Sequence, residues 1–91
     1  MEVPVTLPSL LANCTGGERD VVVEATTLRG VVDALLAAYP LLRPHLVTEA
    51  GRLREHVNLF LNDQNVRWFD DWGIDLSPGD TLTVIQAVSG G

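Results

Sequence analysis

The sequence has no lysine. All six basic residues are arginine, set against twelve aspartates and glutamates for a net charge of −6. That leaves the N-terminal amine as the only ordinary primary amine. An acidic chain is a poor match for nucleic acid or anionic membranes, both of which attract basic patches. It suits a partner with a basic docking face, and it also serves simple solubility. Cys14 stands alone, so no intrachain disulfide can form, in keeping with a reducing compartment. No apolar run approaches the roughly 20 residues of a membrane span, and the first residues lack a basic-then-apolar leader pattern. A cytoplasmic location is therefore expected. His45 and His56 have no cysteine or carboxylate at ligand spacing, so no metal site is expected.

What is present is enough for one folded unit. The chain has 91 residues, 46% of them hydrophobic, which predicts a single domain with one core and excludes a disordered chain. Glu2 to Leu7 alternates, with Val3, Val5 and Leu7 on one face, and predicts a strand. Pro4 cannot donate to a ladder, so its amide side should be unpaired or irregular. Pro8 to Thr15 is a connection in which Leu10 and Leu11 can tuck under the sheet. Thr15-Gly16-Gly17-Glu18 is a turn signal before a Val-rich second strand over Asp20 to Glu24, giving an antiparallel hairpin with a long loop.

Leu28, Val31, Val32, Leu35, Leu36 and Tyr39 follow at helical spacing. Thr26 or Thr27 can cap this helix, and Pro40 stops it. Gly30 in the first turn costs helix propensity, which a close approach to the sheet would explain. Leu41, Leu42, Leu46 and Val47 are expected to cover one end of the core, and Ala50 to Glu55 to form a surface loop. Val57 to Asn62 alternates again. Asn62-Asp63-Gln64-Asn65 predicts a turn, Val66 to Phe69 a short strand, and Asp70 to Asp75 a partly helical crossover. Ser77-Pro78-Gly79-Asp80 is a turn in which Pro presets φ and Gly admits a positive φ, and Thr81 to Ala87 is the last strand.

A hairpin, a helix over one face and two further strands is a β-grasp order. The expected fold is α+β and ubiquitin-like: a mixed sheet of four to five strands, one main helix packed on one face, and a free C-terminal tail. The last strand would pair centrally and in parallel beside the first. The folded domain is placed at 1–87 and a flexible diglycine tail at 88–91. If Val57, Leu59 and Leu61 face the helix, Phe60 faces outward. If Leu82 and Val84 face in, Ile85 faces out. An apolar patch on an open sheet face often marks a contact surface, although both residues can equally be ordinary exposed apolar side chains. Gly90 and Gly91 can be a frayed end. Alternatively, a tail without Cβ atoms can thread a narrow slot on another protein and leave its terminal carboxyl open to a nucleophile.

Across essentially the whole chain, the sequence resembles the MoaD/ThiS family of ubiquitin-like sulfur carrier proteins. The resemblance is carried by Val3-Pro-Val-Thr-Leu7, by Thr27-Leu28 through Tyr39, by Val57-Asn-Leu-Phe-Leu-Asn-Asp63 with Val66-Arg67, and above all by Asp80-Thr-Leu-Thr-Val-Ile-Gln-Ala-Val-Ser-Gly-Gly91. The Asn-Asp block followed by Val-Arg is similar to the cysteine-biosynthesis carriers of actinobacteria more than to the thiamine branch. Ile85-Gln86-Ala87 stands where the molybdopterin branch has an aromatic-proline stretch.

The resemblance implies a carrier cycle. An E1-like enzyme adenylates the Gly91 carboxylate with ATP, a sulfur donor converts it to a thiocarboxylate, and an acceptor enzyme takes the sulfur for biosynthesis. By position, Gly91 carries the sulfur and Gly90 gives access to it. Val88 and Ser89 lie along the partner's channel. Phe60, Ile85 and Ala87 supply apolar contact, and Arg67 and the carboxylates tune the rim. The chain would bind no cofactor of its own, would be a monomer when free and would be a cosubstrate rather than an enzyme. The absence of a nucleophile-base constellation fits that role. The rival readings are a ubiquitin-like modifier joined through Gly91, a plain β-grasp interaction domain, and a thiol enzyme using Cys14.

Overall fold

The computed structural model describes residues 1–86. Its strands are β1 (Glu2–Thr6), β2 (Asp20–Glu24), β3 (Val57–Leu61), β4 (Gln64–Asn65) and β5 (Leu82–Gln86), and its helices are α1 (Leu28–Ala38) and α2 (Arg43–Leu46). The strands form one five-stranded sheet in the order β2-β1-β5-β3-β4. β1 runs antiparallel to β2 and parallel to β5, and β3 runs antiparallel to both β5 and β4. This is the mixed β-grasp sheet expected, with the last strand at its centre.

The period of two along each strand decides which face is buried. Val3 pairs with Val23 and Val5 with Val21, and all four are buried. Leu59 pairs with Val84 and Leu61 with Leu82 on the same face. Against them lies the apolar stripe of α1, with Leu28, Val31, Val32, Leu35 and Leu36 buried. Each such side chain contributes roughly 1.5–3 kcal/mol by leaving water.

Pro4 is tolerated because of its phase. Met1 and Ala25 exchange backbone hydrogen bonds, and the Leu7 amide donates to Arg19. The odd-numbered amides of β1 therefore point to β2, and the Pro4 nitrogen points to the β5 side. There the paired register begins only at Val5, so no ladder bond is lost.

The start of α1 explains the crossover. A helix leaves its first amides without internal partners. Here the Leu28 amide donates to the Ile74 carbonyl at 3.1 Å and the Arg29 amide to the Trp72 carbonyl at 2.8 Å. The Gly30 amide donates to Thr27 Oγ1 at 3.0 Å, so Thr27 is the cap. Gly30 owes its lack of a side chain to this cap and to the end of the first hairpin: an added Cβ would sit 3.1 Å from Thr27 Oγ1 and 3.3 Å from the Cβ of Ala25, the residue after β2. Because carbonyls of the 70–76 segment are turned to the helix, that segment is extended and bent. The expected partial helix is absent there, and Asp75 instead bridges to Thr27.

Other local expectations are also revised. Ser9–Thr15 is a 3₁₀ helix, with Leu11 buried and Leu10 exposed. Leu42, Leu46 and Val47 close one end of the core, whereas Leu41 is exposed. The short strand is Gln64–Asn65, not Val66 to Phe69. Asn65 Oδ1 accepts the Arg67 amide at 2.9 Å and winds Val66–Trp68 into a 3₁₀ turn. The β3–β4 turn narrows to Asn62-Asp63, with Asn62 at φ 56°.

The turn before β5 is built as expected, with Gly79 at φ 94° and the Asp80 amide bonded to the Ser77 carbonyl at 3.0 Å. Asp80 then ties two turns together. Its Oδ2 accepts the Ser77 amide at 2.8 Å and its Oδ1 accepts Asn62 Nδ2 at 3.0 Å. Asn62 also exchanges bonds with Thr81. The Ser77 amide, followed by the Asn62 amide group, holds the Asp80 carboxyl below its ordinary value. A depressed folded-state value means the stabilisation is present at neutral pH and lost as pH falls through that value. Asp80→Asn should therefore lower the melting temperature at neutral pH. The deficit should shrink on acidification below the ordinary carboxylate range, as thermal melts across pH would record.

Candidate functional site

Among the described residues, α1 covers one face of the sheet and leaves the other open. On the open face, Ile85 of β5 lies opposite Asn58 of β3, and Phe60 of β3 lies opposite Thr83. Phe60 and Ile85 are thus diagonal neighbours on one face, as the alternation predicts. Ile85 is 44% exposed and Phe60 half-buried. On the same face, Val22 of β2 pairs with Pro4 of β1 and is exposed.

The β1–β2 side of this face is acidic. Glu2 and Glu24 stand directly opposite each other, an arrangement that like charges disfavour. The N-terminal ammonium lies 3.2 Å from Glu24 and offsets part of that repulsion. Asp20, on the same strand, accepts the Thr6 hydroxyl at 3.0 Å. The open face therefore pairs an apolar half near the end of β5 with an acidic half on the first hairpin.

Arg67 has a task that its sequence position does not reveal. Its guanidinium converges on the carbonyls of Arg54, at 2.8 Å, of Glu55, at 3.2 Å, and of Val57. Its Nε also reaches Asn58 Oδ1, to which Asn65 Nδ2 donates at 3.1 Å. Arg67 thus closes the loop that leads into β3 at the sheet edge. A planar fork can hold these carbonyls through one nitrogen while its Nε holds Asn58 Oδ1, a spread that the three donors of a single ammonium nitrogen do not reproduce. The only sequence signal for this was a lone arginine after the Asx-rich turn.

Gly91, Gly90, Ser89, Val88 and Ala87 lie outside the described residues. Cys14 is half-buried in the 3₁₀ helix after β1. Among the described residues, no three His, Cys, Asp or Glu side chains gather as a metal site would require, and no helix is long and apolar enough to cross a membrane.

A mixed sheet with a central last strand, one long helix across one face and an open opposite face defines the ubiquitin-like β-grasp class. The ThiS family model matches residues 5–91. The chain belongs to the ThiS family. It is 33% identical over 93 residues to the sulfur carrier protein CysO of Mycobacterium bovis and Mycobacterium tuberculosis, spanning all of both chains. Its function is that of a sulfur carrier. Among solved structures it is similar to the BexX/CysO complex of Amycolatopsis orientalis, with TM-score 0.83, 32% identity and coverage of 98% of this chain and 99% of that one. It is also similar to SAMP1 from Haloferax volcanii, with TM-score 0.82, 29% identity and full coverage of both chains.

Replacing Arg67 with Lys should cost about 1–3 kcal/mol in urea unfolding, because a single ammonium nitrogen cannot hold the carbonyls and Asn58 Oδ1 together. Amide hydrogen exchange should quicken at Val57 and the residues just before it.

Proposed function

We propose that the chain carries sulfur on the terminal carboxylate of Gly91. The observation that supports this most is the family match over residues 5–91, which runs through the Val88-Ser-Gly-Gly91 ending. In this cycle the Gly91 carboxylate attacks the α-phosphorus of ATP on an E1-like enzyme, and pyrophosphate leaves. A free carboxylate is a poor electrophile, whereas the acyl-adenylate has a good leaving group. A hydrosulfide-level nucleophile then attacks the acyl carbon, AMP departs, and a thiocarboxylate remains. That sulfur, ionised at neutral pH, attacks the acceptor on a biosynthetic enzyme. That acceptor is an activated serine derivative, a pterin precursor, a thiazole precursor or a sugar. The chain is a cosubstrate in this scheme, with ATP held by its partner and the cycle run in the cytoplasm.

The body over 1–87 docks while the segment 88–91 enters the partner. Gly90 leaves room around the acyl carbon, and Val88 and Ser89 line the channel. Phe60 and Ile85, with Ala87, form the apolar contact, and Arg67 steadies its edge through the loop it holds. The acidic half of the open face meets a basic rim on the partner. A partner complex in the family is on record for the Amycolatopsis protein.

A second reading, a protein modifier joined through Gly91 to a lysine elsewhere, is favoured by the likeness to small archaeal modifier protein 1. With no lysine in its own sequence, a second copy offers no side-chain amine to receive it.

Intact mass after incubation with ATP, an adenylating enzyme and sulfide tests the carrier reading. A gain equal to exchange of one oxygen for sulfur, confined to the C-terminal peptide, is expected, and deletion of Gly91 should abolish it. Ile85→Asp should weaken binding to the adenylating enzyme about tenfold or more, without unfolding the exposed site. Absence of the gain, with isopeptide-linked products instead, would move the assignment to the modifier.

A further inference from the structure

The helical side of the molecule carries a second concave surface. A cavity of about 780 Å³ opens between α1, α2, the 51–53 loop and the 67–72 segment. Four of the six arginines of the chain line it: Arg29, Arg43, Arg52 and Arg67. Asp33 and Asp70 line it too, which leaves two arginines and ten carboxylates for the rest of the chain. A strongly acidic protein has thus collected most of its positive charge in one hollow.

These arginines are not there to neutralise the chain's own carboxylates. Among the described residues, the only ion pair is the one between the N-terminus and Glu24. The side chains of Arg43 and Arg52 are exposed and make no hydrogen bond among the described residues, although Asp33 and Asp70 line the same hollow. Arg67 is anchored on carbonyls, and Arg29 lies over the Trp72 ring at 5.9 Å. Gathered cations repel one another, so the arrangement opposes folding unless something else is gained. The guanidinium fork matches phosphoryl oxygens in a bidentate fashion and gives up its hydration more readily than an ammonium.

The wall also has a flat apolar part. Phe69 and Trp72 are half-buried and line the cavity. Trp72 is fixed by its Nε1 bond to the Val66 carbonyl at 3.1 Å. The volume falls in the range typical of small-molecule sites, roughly 300–1,000 Å³. An aromatic surface beside a cluster of arginines suits a ligand that joins a flat ring to several phosphoryl charges. The two aspartates provide acceptors for its hydroxyl or amino groups.

We propose that this groove binds a polyphosphate-bearing small molecule of the nucleotide class. The groove is lined chiefly by α1, α2, the 51–53 loop and the 69–72 segment, and it adjoins the open face at Arg67, whose Nε reaches Asn58, opposite Ile85. It does not depend on the chemistry of the tail.

Titration of the ¹⁵N-labelled full chain at low salt tests this, with ATP, pyrophosphate, adenosine and a glutamate-rich peptide as separate probes. ATP and pyrophosphate should produce saturable shifts at Gly51, at the Trp72 indole and at the Arg29 side chain, with ATP the tighter. Adenosine alone should not. Added salt should weaken both anions. Arg43→Gln combined with Arg52→Gln should weaken ATP about tenfold or more while leaving the spectrum of the sheet unchanged. The proposal is overturned by any of three results: no saturable shift by about 10 mM ATP, undiminished ATP binding in the double variant, or saturation of the groove by the acidic peptide and not by ATP.

Discussion

The pairing of β5 between β1 and β3 is the constraint on which the rest depends. Without it the molecule is two separate ribbons, β1–β2 and β3–β4, and an isolated two-stranded ribbon is marginal in water. With it, Leu82 and Val84 complete the inner face between Val3 and Val5 on one side and Leu59 and Leu61 on the other. Only then is there a surface wide enough for the stripe of α1. The strand that comes last in sequence is the one that joins everything before it, so both of its pairings link parts of the chain that lie far apart in sequence.

The same placement separates two tasks. The inner side chains of β5 belong to the core, and the outer ones, Thr83 and Ile85, belong to the open face. Core packing therefore fixes where the outward apolar patch lies, and it leads the chain toward its diglycine from the middle of the sheet instead of from an edge. Charge is divided in a parallel way. The acidic half of the open face lies on the first hairpin and the arginine-lined groove lies beside α1 and α2, so each can act on a different kind of ligand.

Much of this was legible because it is periodic. The alternation in β1, β3 and β5 and the stripe from Leu28 to Leu36 predict both the elements and their buried faces, and Pro78-Gly79 predicts the turn before β5. Phe60 and Ile85 were placed correctly on the outer face by parity alone. What was not legible depends on partners far away in sequence. Nothing near Trp72 and Ile74 announces that their carbonyls complete the first turn of α1, which is why the crossover is extended and not helical. Arg67 looks like any surface arginine until the loop before β3 is folded against it. Asn65 ends its strand early through a side-chain bond two residues ahead, a choice that propensity does not resolve. The arginine groove is assembled from positions spread between Arg29 and Arg67 that share no motif.

The central position of β5 also has a mechanical consequence. A tail drawn into a narrow slot transmits its tension along the axis of β5. The hydrogen bonds to β1 and β3 lie across that axis, so they are loaded in shear, and many must yield together. A strand at the sheet edge pulled sideways would instead unzip one bond at a time. The parallel partner β1 and the antiparallel partner β3 share the load from both sides. Under a pull along β5, the body thus resists coming apart more than it would if its last strand lay at an edge.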